Sequence, residues 1–192
     1  VTDDAEGDVT GTTDASGIDD AAILAAMARQ TGEIQQVPTA VSAIKVNGQR
    51  AYARVRAGEN VVLQPRAVTV SRFAATETRR HDEVVDVDVE VTCSSGTYVR
   101  ALARDVGADL GVGGHLTALR RIRIGPFDLT AACPDIFADD AVAPAPMTMA
   151  EAARLSFPVV EVTDDQEAAI RVGRRVDMTV PADVTAMIAG TG

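Results

Sequence analysis

Lysine is nearly absent from this sequence. Lys45 is the only one, and every other positive charge is an arginine. With 28 acidic residues against 18 basic ones the formal net charge is -10. A chain with that balance is an unusual nucleic-acid binder on bulk charge. A polyanionic partner would require its arginines to be gathered on one face. Cysteine and histidine are scarce too. Cys93 and Cys133 have no C-x-x-C partner, and His81 and His115 stand at no metal-ligand spacing. A zinc site and a disulfide framework are therefore not expected. No apolar run reaches about 18 residues, so no membrane span is expected. No stretch has the layout of a secretory signal, and the chain reads as cytosolic. There is no internal repeat.

What is present suits one substantial domain with part of a second: 192 residues, 46% of them hydrophobic, enough to bury a core. The charge is uneven. Residues 1–30 hold seven acids against Arg29, whereas residues 98–125 hold five arginines against Asp105 and Asp109. One face can be basic while the whole is acidic. The sequence opens at Val1-Thr2-Asp3-Asp4 without a methionine and stops after an apolar run at Ala189-Gly190-Thr191-Gly192. An internal stretch of a longer protein is expected.

Residues 1–18, rich in Asp, Gly and Thr, read as a loop. Asp19 and Asp20 open a helix at its positive end, with Ile23, Leu24 and Met27 as its apolar stripe and Gly32 as its stop. Val37-Pro38 implies extended backbone, and Asn47-Gly48 a tight turn. Lys45, Arg50, Tyr52, Arg54 and Arg56 surround that turn with no acid before Glu59. Basic side chains interleaved with an aromatic suit RNA phosphates and an unstacked base. An ordinary solvated hairpin and helix fit the same residues.

Residues 66–78 and 83–93 pair as strands, joined by a turn at Arg79-Arg80-His81-Asp82. In the second, Val85, Val87, Val89, Val91 and Cys93 alternate with polar residues, a period of two that predicts one buried and one wet face. Cys93 continues the apolar face as a packing residue. Ser94-Ser95-Gly96 then turns the chain into a helix with Thr97 as N-cap and Gly111 as its end. Val99, Leu102, Val106 and Leu110 form its stripe. Tyr98 and Arg100 lie in its first turn, about 100° to either side of Val99. On spacing alone they could be surface residues or site residues.

Residues 115–129 begin as a helical turn and finish as a basic strand edge carrying Arg120, Arg121 and Arg123. Phosphate contact and salt bridging to the acidic remainder both fit. Residues 134–148 read as a surface loop. Thr148 caps a helix from Met149 to Leu155, and Thr163 caps another around Glu167 to Arg171. Residues 172–176 then turn into a strand.

Several of these stretches together resemble one family. Cys93-Ser94-Ser95-Gly96-Thr97-Tyr98-Val99-Arg100 resembles the CSxGTYIR motif of bacterial tRNA pseudouridine-55 synthases, the TruB family. Gly114-His115-Leu116 through Leu119-Arg120-Arg121 is similar to that family's GAHLxxLRR. Gln36-Val37-Pro38 through Lys45, then Gly48, Tyr52 and Arg56, is similar to its QVPPxYSAxKxxGxxxYxxAR. Thr2-Asp3-Asp4-Ala5-Glu6-Gly7 is similar to its TxDAxG stretch. The resemblance covers residues 1–132 in consistent order.

The resemblance implies an α+β fold, a mixed and largely antiparallel sheet flanked by helices with RNA across one face. It implies a synthase domain over residues 1–132, a linker and short helix over 133–160, and the start of a PUA-like RNA-binding module over 161–192. The implied activity is isomerisation of one uridine in the T-arm loop of tRNA, by a cytoplasmic monomer with neither metal nor organic cofactor. The base is flipped out, which needs a stacking partner and a snug pocket. Tyr98 would contact it and help move its carbon-5 proton. Arg100 would orient the catalytic carboxylate, and Leu119 would line the pocket. Lys45, Arg50, Tyr52, Arg56, Arg120 and Arg121 would contact RNA. The family's nucleophilic aspartate lies in a GGTLDP-type motif upstream of TxDAxG, and neither that motif nor the family's second active-site tyrosine occurs here. Asp14, in Gly11-Thr12-Thr13-Asp14, is not that aspartate, because it follows TxDAxG and lacks the proline. Thr39 and Val41 stand where the family often has proline and tyrosine. A non-catalytic RNA-binding protein of the same fold is the competing reading.

Overall fold

The computed structural model describes residues 3–7, 9, 11–39, 45–46, 49–50, 63–132 and 145–178. These fall into two compact units, Val1–Leu119 and Arg120–Gly192.

The first unit is built on a three-stranded antiparallel sheet in the order β1-β4-β5. Strand β1 is Gly32–Gln36, β4 is Arg66–His81 and β5 is Val84–Cys93. Helix α1, Asp20–Arg29, begins where expected, with the Asp19 carboxylate accepting the Ala22 N–H at 2.7 Å. It buries Ile23, Ala26 and Met27. Leu24, expected in the stripe, is 54% exposed, and Ala26 takes its place, because the helix presents the 23/26/27 face to the sheet. Helix α2, Val99–Asp109, contributes buried Ala101, Leu102 and Gly107. Of the expected stripe only Leu102 is buried, and Val99, Val106 and Leu110 are half-buried. Together with Val68 and Val70 of β4 and Leu63, these side chains are the core. The core sits at the end of the sheet where β1 pairs with β4, under α1 and α2.

The β4–β5 hairpin runs out beyond that core. Its pairing is continuous from Val70↔Cys93 to His81↔Val84, with two register shifts. Arg79, Arg80 and His81, expected in the turn, are strand residues. The turn is Asp82-Glu83, with Asp82 at φ 51. The alternating face of β5 is half-buried rather than buried, since no described helix covers the outer part of the hairpin. The wet face is laced by ion pairs, Arg72–Glu90 at 3.1 Å and Arg79–Asp88 at 2.7 Å. Strands β2, Lys45–Val46, and β3, Gln49–Arg50, pair antiparallel with Lys45 opposite Arg50. That pairing is the hairpin that Asn47-Gly48 predicts. Asn47, Gly48, Tyr52 and Arg56 lie outside the described residues.

In the second unit β6, Arg123–Ile124, pairs antiparallel with β7, Phe127–Asp128, across a Gly125-Pro126 turn in which Gly125 has φ 55. No helical turn precedes β6. Helix α3, Met149–Ser156, and helix α4, Asp164–Arg171, each open on a capping box, Thr148 with Glu151 and Thr163 with Gln166. The expected strand after Gly173 does not form among the described residues.

Candidate active site

The junction between β5 and α2 is fastened to the core strand beside it. The Ser94 N–H donates to the Thr69 carbonyl at 2.8 Å, and the Thr69 N–H donates back to Ser94 Oγ at 3.0 Å. Gly96 completes the turn at φ 84, a conformation that favours glycine. Thr97 is not the N-cap. Its hydroxyl donates to the Ser94 carbonyl at 2.9 Å, inside the turn. Tyr98 holds the cap position instead, extended at φ -98 and ψ 102, with no cap bond from its own side chain.

A distant residue holds the backbone of the cap residue itself. Gln36, at the end of β1 and 2% exposed, accepts the Tyr98 N–H on Oε1 at 2.8 Å. Its Nε2 donates to the Tyr98 carbonyl at 3.1 Å. That carbonyl also accepts the first helical bond, from the Leu102 N–H at 3.2 Å. The buried carboxamide is thus satisfied on both sides.

Two residues on, Arg100 Nη1 donates to Asp4 Oδ2 at 2.7 Å, with the two side chains 27% and 22% exposed. One turn further, Arg104 donates from Nη2 to the Val37 carbonyl at 2.8 Å and from Nε to Asp105 at 2.8 Å. Its Nη1 stands 3.7 Å from Asp3. Arginines four apart lie on one helix face, and here that face meets two adjacent aspartates. The aspartates are held in turn. The Leu116 N–H donates to the Asp3 carbonyl at 3.1 Å, Asp4 forms a parallel bridge with Leu116, and Asp4 Oδ1 accepts the Glu6 N–H at 3.2 Å. Leu116 follows a loop closed on α2 by the Val112 and Gly113 N–H groups, both donating to the Gly107 carbonyl at 3.1 and 3.0 Å.

Four stretches far apart in sequence therefore meet at one place: residues 3–7, residues 36–37, residues 93–104 and residues 113–116. These are the stretches that carry the family motifs. The family model described as "TruB family pseudouridylate synthase (N terminal domain)" matches residues 1–99. The chain belongs to the TruB family. A second model, "tRNA pseudouridylate synthase B C-terminal domain", matches residues 100–136. A "tRNA pseudouridine synthase B" of Cutibacterium acnes is 82% identical over 192 residues, all of this chain and 65% of that protein. Proteins of the same name from Corynebacterium aurimucosum and Nocardia farcinica are 53% and 54% identical, over 58% and 57% of their own lengths. The chain thus spans about two thirds or less of the family members it matches. In a crystal structure of a Cbf5-Nop10-Gar1 complex, one chain is 30% identical with a TM-score of 0.42, over 58% of this chain and 27% of that one.

Of the expected site residues, Tyr98 and Arg100 both lie at the junction, Tyr98 at the cap position and Arg100 in the first turn of the helix. Leu119 is 63% exposed, and Arg120 and Arg121 are exposed at the start of the second unit. Lys45 and Arg50 are backbone register partners in the β2–β3 pairing. Asp14 is far from the junction. The neighbouring Ala15 N–H donates to the Glu83 carbonyl at the hairpin tip, and the length of β5 is about 30 Å at 3.3 Å per residue. Hydrogen bonds from the Ser16 side chain and backbone hold the Asp14 carboxyl below its usual range. The roles of Asp4, Gln36 and Arg104 were not assigned from sequence. The available signal was the matching of Arg100 and Arg104, four apart, to the adjacent pair Asp3-Asp4. Among the described residues, no three His, Cys, Asp or Glu side chains gather as a metal site, and no helix is long and apolar enough to cross a membrane.

Proposed function

We propose that this protein isomerises uridine 55 in the T-arm loop of tRNA to pseudouridine. The observation that carries the reading is the convergence of the motif stretches on Tyr98 and Arg100. It is supported by the name borne by relatives up to 82% identical, which favours an enzyme over a non-catalytic RNA-binding protein. In the reaction the bond from the ribose carbon 1′ to N1 breaks and a bond to carbon 5 forms. Carbon 5 loses its proton and N1 gains one, so no oxidant, reductant or co-substrate is needed.

Tyr98 contacts the flipped base and assists proton transfer from carbon 5, a general acid–base role. Arg100 orients the nucleophilic carboxylate. A guanidinium has five N–H donors and can serve two carboxylates at once, so its pairing with Asp4 is compatible with that role. Asp4, which pairs with Arg100 and accepts the Glu6 N–H, is assigned as an anchor and not as the nucleophile, because it stands in the TxDAxG stretch and not in a GGTLDP-type motif. No aspartate of the chain sits in a GGTLDP-type motif, and the attack is assigned to a carboxylate outside this sequence.

Leu119 lines the base pocket, while Lys45, Arg50, Tyr52, Arg56, Arg120 and Arg121 grip RNA backbone and loop. Residues 1–132 act as the synthase domain, residues 133–160 as a connection, and residues 161–192 as the beginning of a PUA-like module. The protein works as a cytoplasmic monomer without metal or organic cofactor. Carbodiimide-dependent primer-extension mapping of tRNA treated with the complete protein tests the reading. A stop one nucleotide 3′ of T-loop position 55 is expected; a stop elsewhere, or none, rejects it.

A further inference from the structure

We propose that Gln36 is a positioning residue for catalysis, acting through the backbone of Tyr98. The inference rests on the isomerase reading above and adds a residue to it. In extended backbone the N–H and C=O of one residue point to the same side, and Tyr98 is extended. A side-chain carboxamide is a flat donor–acceptor pair that can engage both, as a neighbouring strand would. Gln36 does so with contacts of 2.8 and 3.1 Å. This fixes the peptide at which the chain changes from extended to helical. The direction of the Tyr98 side chain is set at that point.

The arrangement is specific in chemistry. Gln36 is 2% exposed, so its amide has no water to fall back on. Arg66 is its partner in the β1–β4 register, and Arg104 bonds the next carbonyl, that of Val37. Neither cation substitutes for the carboxamide, because a guanidinium donates only, and the Tyr98 N–H requires an acceptor.

The test is a double-variant cycle on the complete protein, with Gln36→Met, Tyr98→Phe and the pair, read as single-turnover rate and KM for tRNA. Gln36→Met keeps the volume and removes both contacts. Its single-turnover rate is expected to fall on the order of tenfold, the effect of losing two ordinary hydrogen bonds, with KM unchanged. In the Tyr98→Phe background the same change should have little further effect, since both act through one side chain. An unchanged rate in Gln36→Met overturns the proposal, as does a multiplicative loss in the pair, which marks a merely structural glutamine. If Gln36→Met does not fold, Gln36→Glu repeats the cycle with the same shape and the donor removed. Wild-type protein that makes no pseudouridine overturns the isomerase reading and this proposal together. Active wild type with indifferent Gln36 variants overturns this proposal alone.

Discussion

Replacing Gly107 by alanine should destabilise the protein, against the usual effect of that change in a helix. In an ordinary helix interior Gly→Ala gains about 1 kcal/mol. Gly107 is different because α2 is crossed closely by the loop that follows it. A Cβ on Gly107 would lie 2.2 Å from both the carbonyl carbon and oxygen of Gly113 and 2.3 Å from the Gly114 nitrogen. All three are backbone atoms, so no rotamer change relieves the contact. The loop would have to retreat by more than 1 Å, judged against ordinary carbon contacts near 3.5–4.0 Å. Overpacking of this kind costs about 1–3 kcal/mol. Retreat also strains the two bonds to the Gly107 carbonyl, worth about 1 kcal/mol each. The net expectation is a loss of about 2–3 kcal/mol. Because the same loop carries Leu116 and its bond to Asp3, the Asp4–Arg100 contact should shift and the rate should fall with stability. The assay is urea denaturation of the complete protein beside single-turnover kinetics. Gly17→Ala is the control, since nothing lies within 4 Å of a Cβ there, and it should be neutral or stabilising by up to about 1 kcal/mol. A denaturation midpoint for Gly107→Ala equal to or above wild type would refute the reasoning.

Further outcomes follow from the site. Asp4→Asn removes the charge partner of Arg100, a charge-assisted bond between side chains less than a third exposed. The rate should drop by about 10–100-fold, corresponding to roughly 1.5–3 kcal/mol, with tRNA affinity by filter binding retained. Tyr98→Phe should impair turnover more than binding, and equal loss of both in paired assays would remove its assigned role. Arg120→Ala should weaken tRNA binding and reduce the slope of log K against log salt by about 1; an unchanged slope would make Arg120 structural. In α3, Thr148→Ala should lower local stability by about 1 kcal/mol, seen as faster amide exchange over residues 149–152. Hydrogen bonds from Thr148 hold the Glu151 carboxyl below its usual range. The carboxylate's part of this cap is therefore present above the unfolded-state value and is lost as pH falls through the folded-state value.

The β4–β5 pairing, the turn into α2 and the openings of α1, α3 and α4 were legible because each has a local cause, whereas β1 was not foreseen as a strand. The period-two pattern of β5, Gly96 at positive φ, Asp19 at an N-cap and the Thr148 and Thr163 boxes are all decided by a few adjacent residues. What was misread depends on partners far along the chain. Thr97 looks like an N-cap, but its hydroxyl turns back to Ser94, and Tyr98 takes the cap position with its own N–H held by Gln36, far upstream. Leu24 has the spacing of a core residue, yet the sheet meets the face of α1 that carries Ala26. Arg79, Arg80 and His81 look like a turn because they are polar, whereas ion pairs to Asp88 and Asp20 keep them at home in a solvated strand. In the site, motif resemblance identified Tyr98 and Arg100, and no local rule names Asp4 as the partner 96 residues away.

The most direct test of the account is tritium release from tRNA carrying 5-tritiated uridine. The complete protein is assayed against an unmodified transcript of native tRNA sequence and against a transcript whose T-loop uridine 55 is replaced by cytidine. Stoichiometric release from the first and none from the second is the predicted result. No release from the first transcript, or equal release from both, would contradict the account.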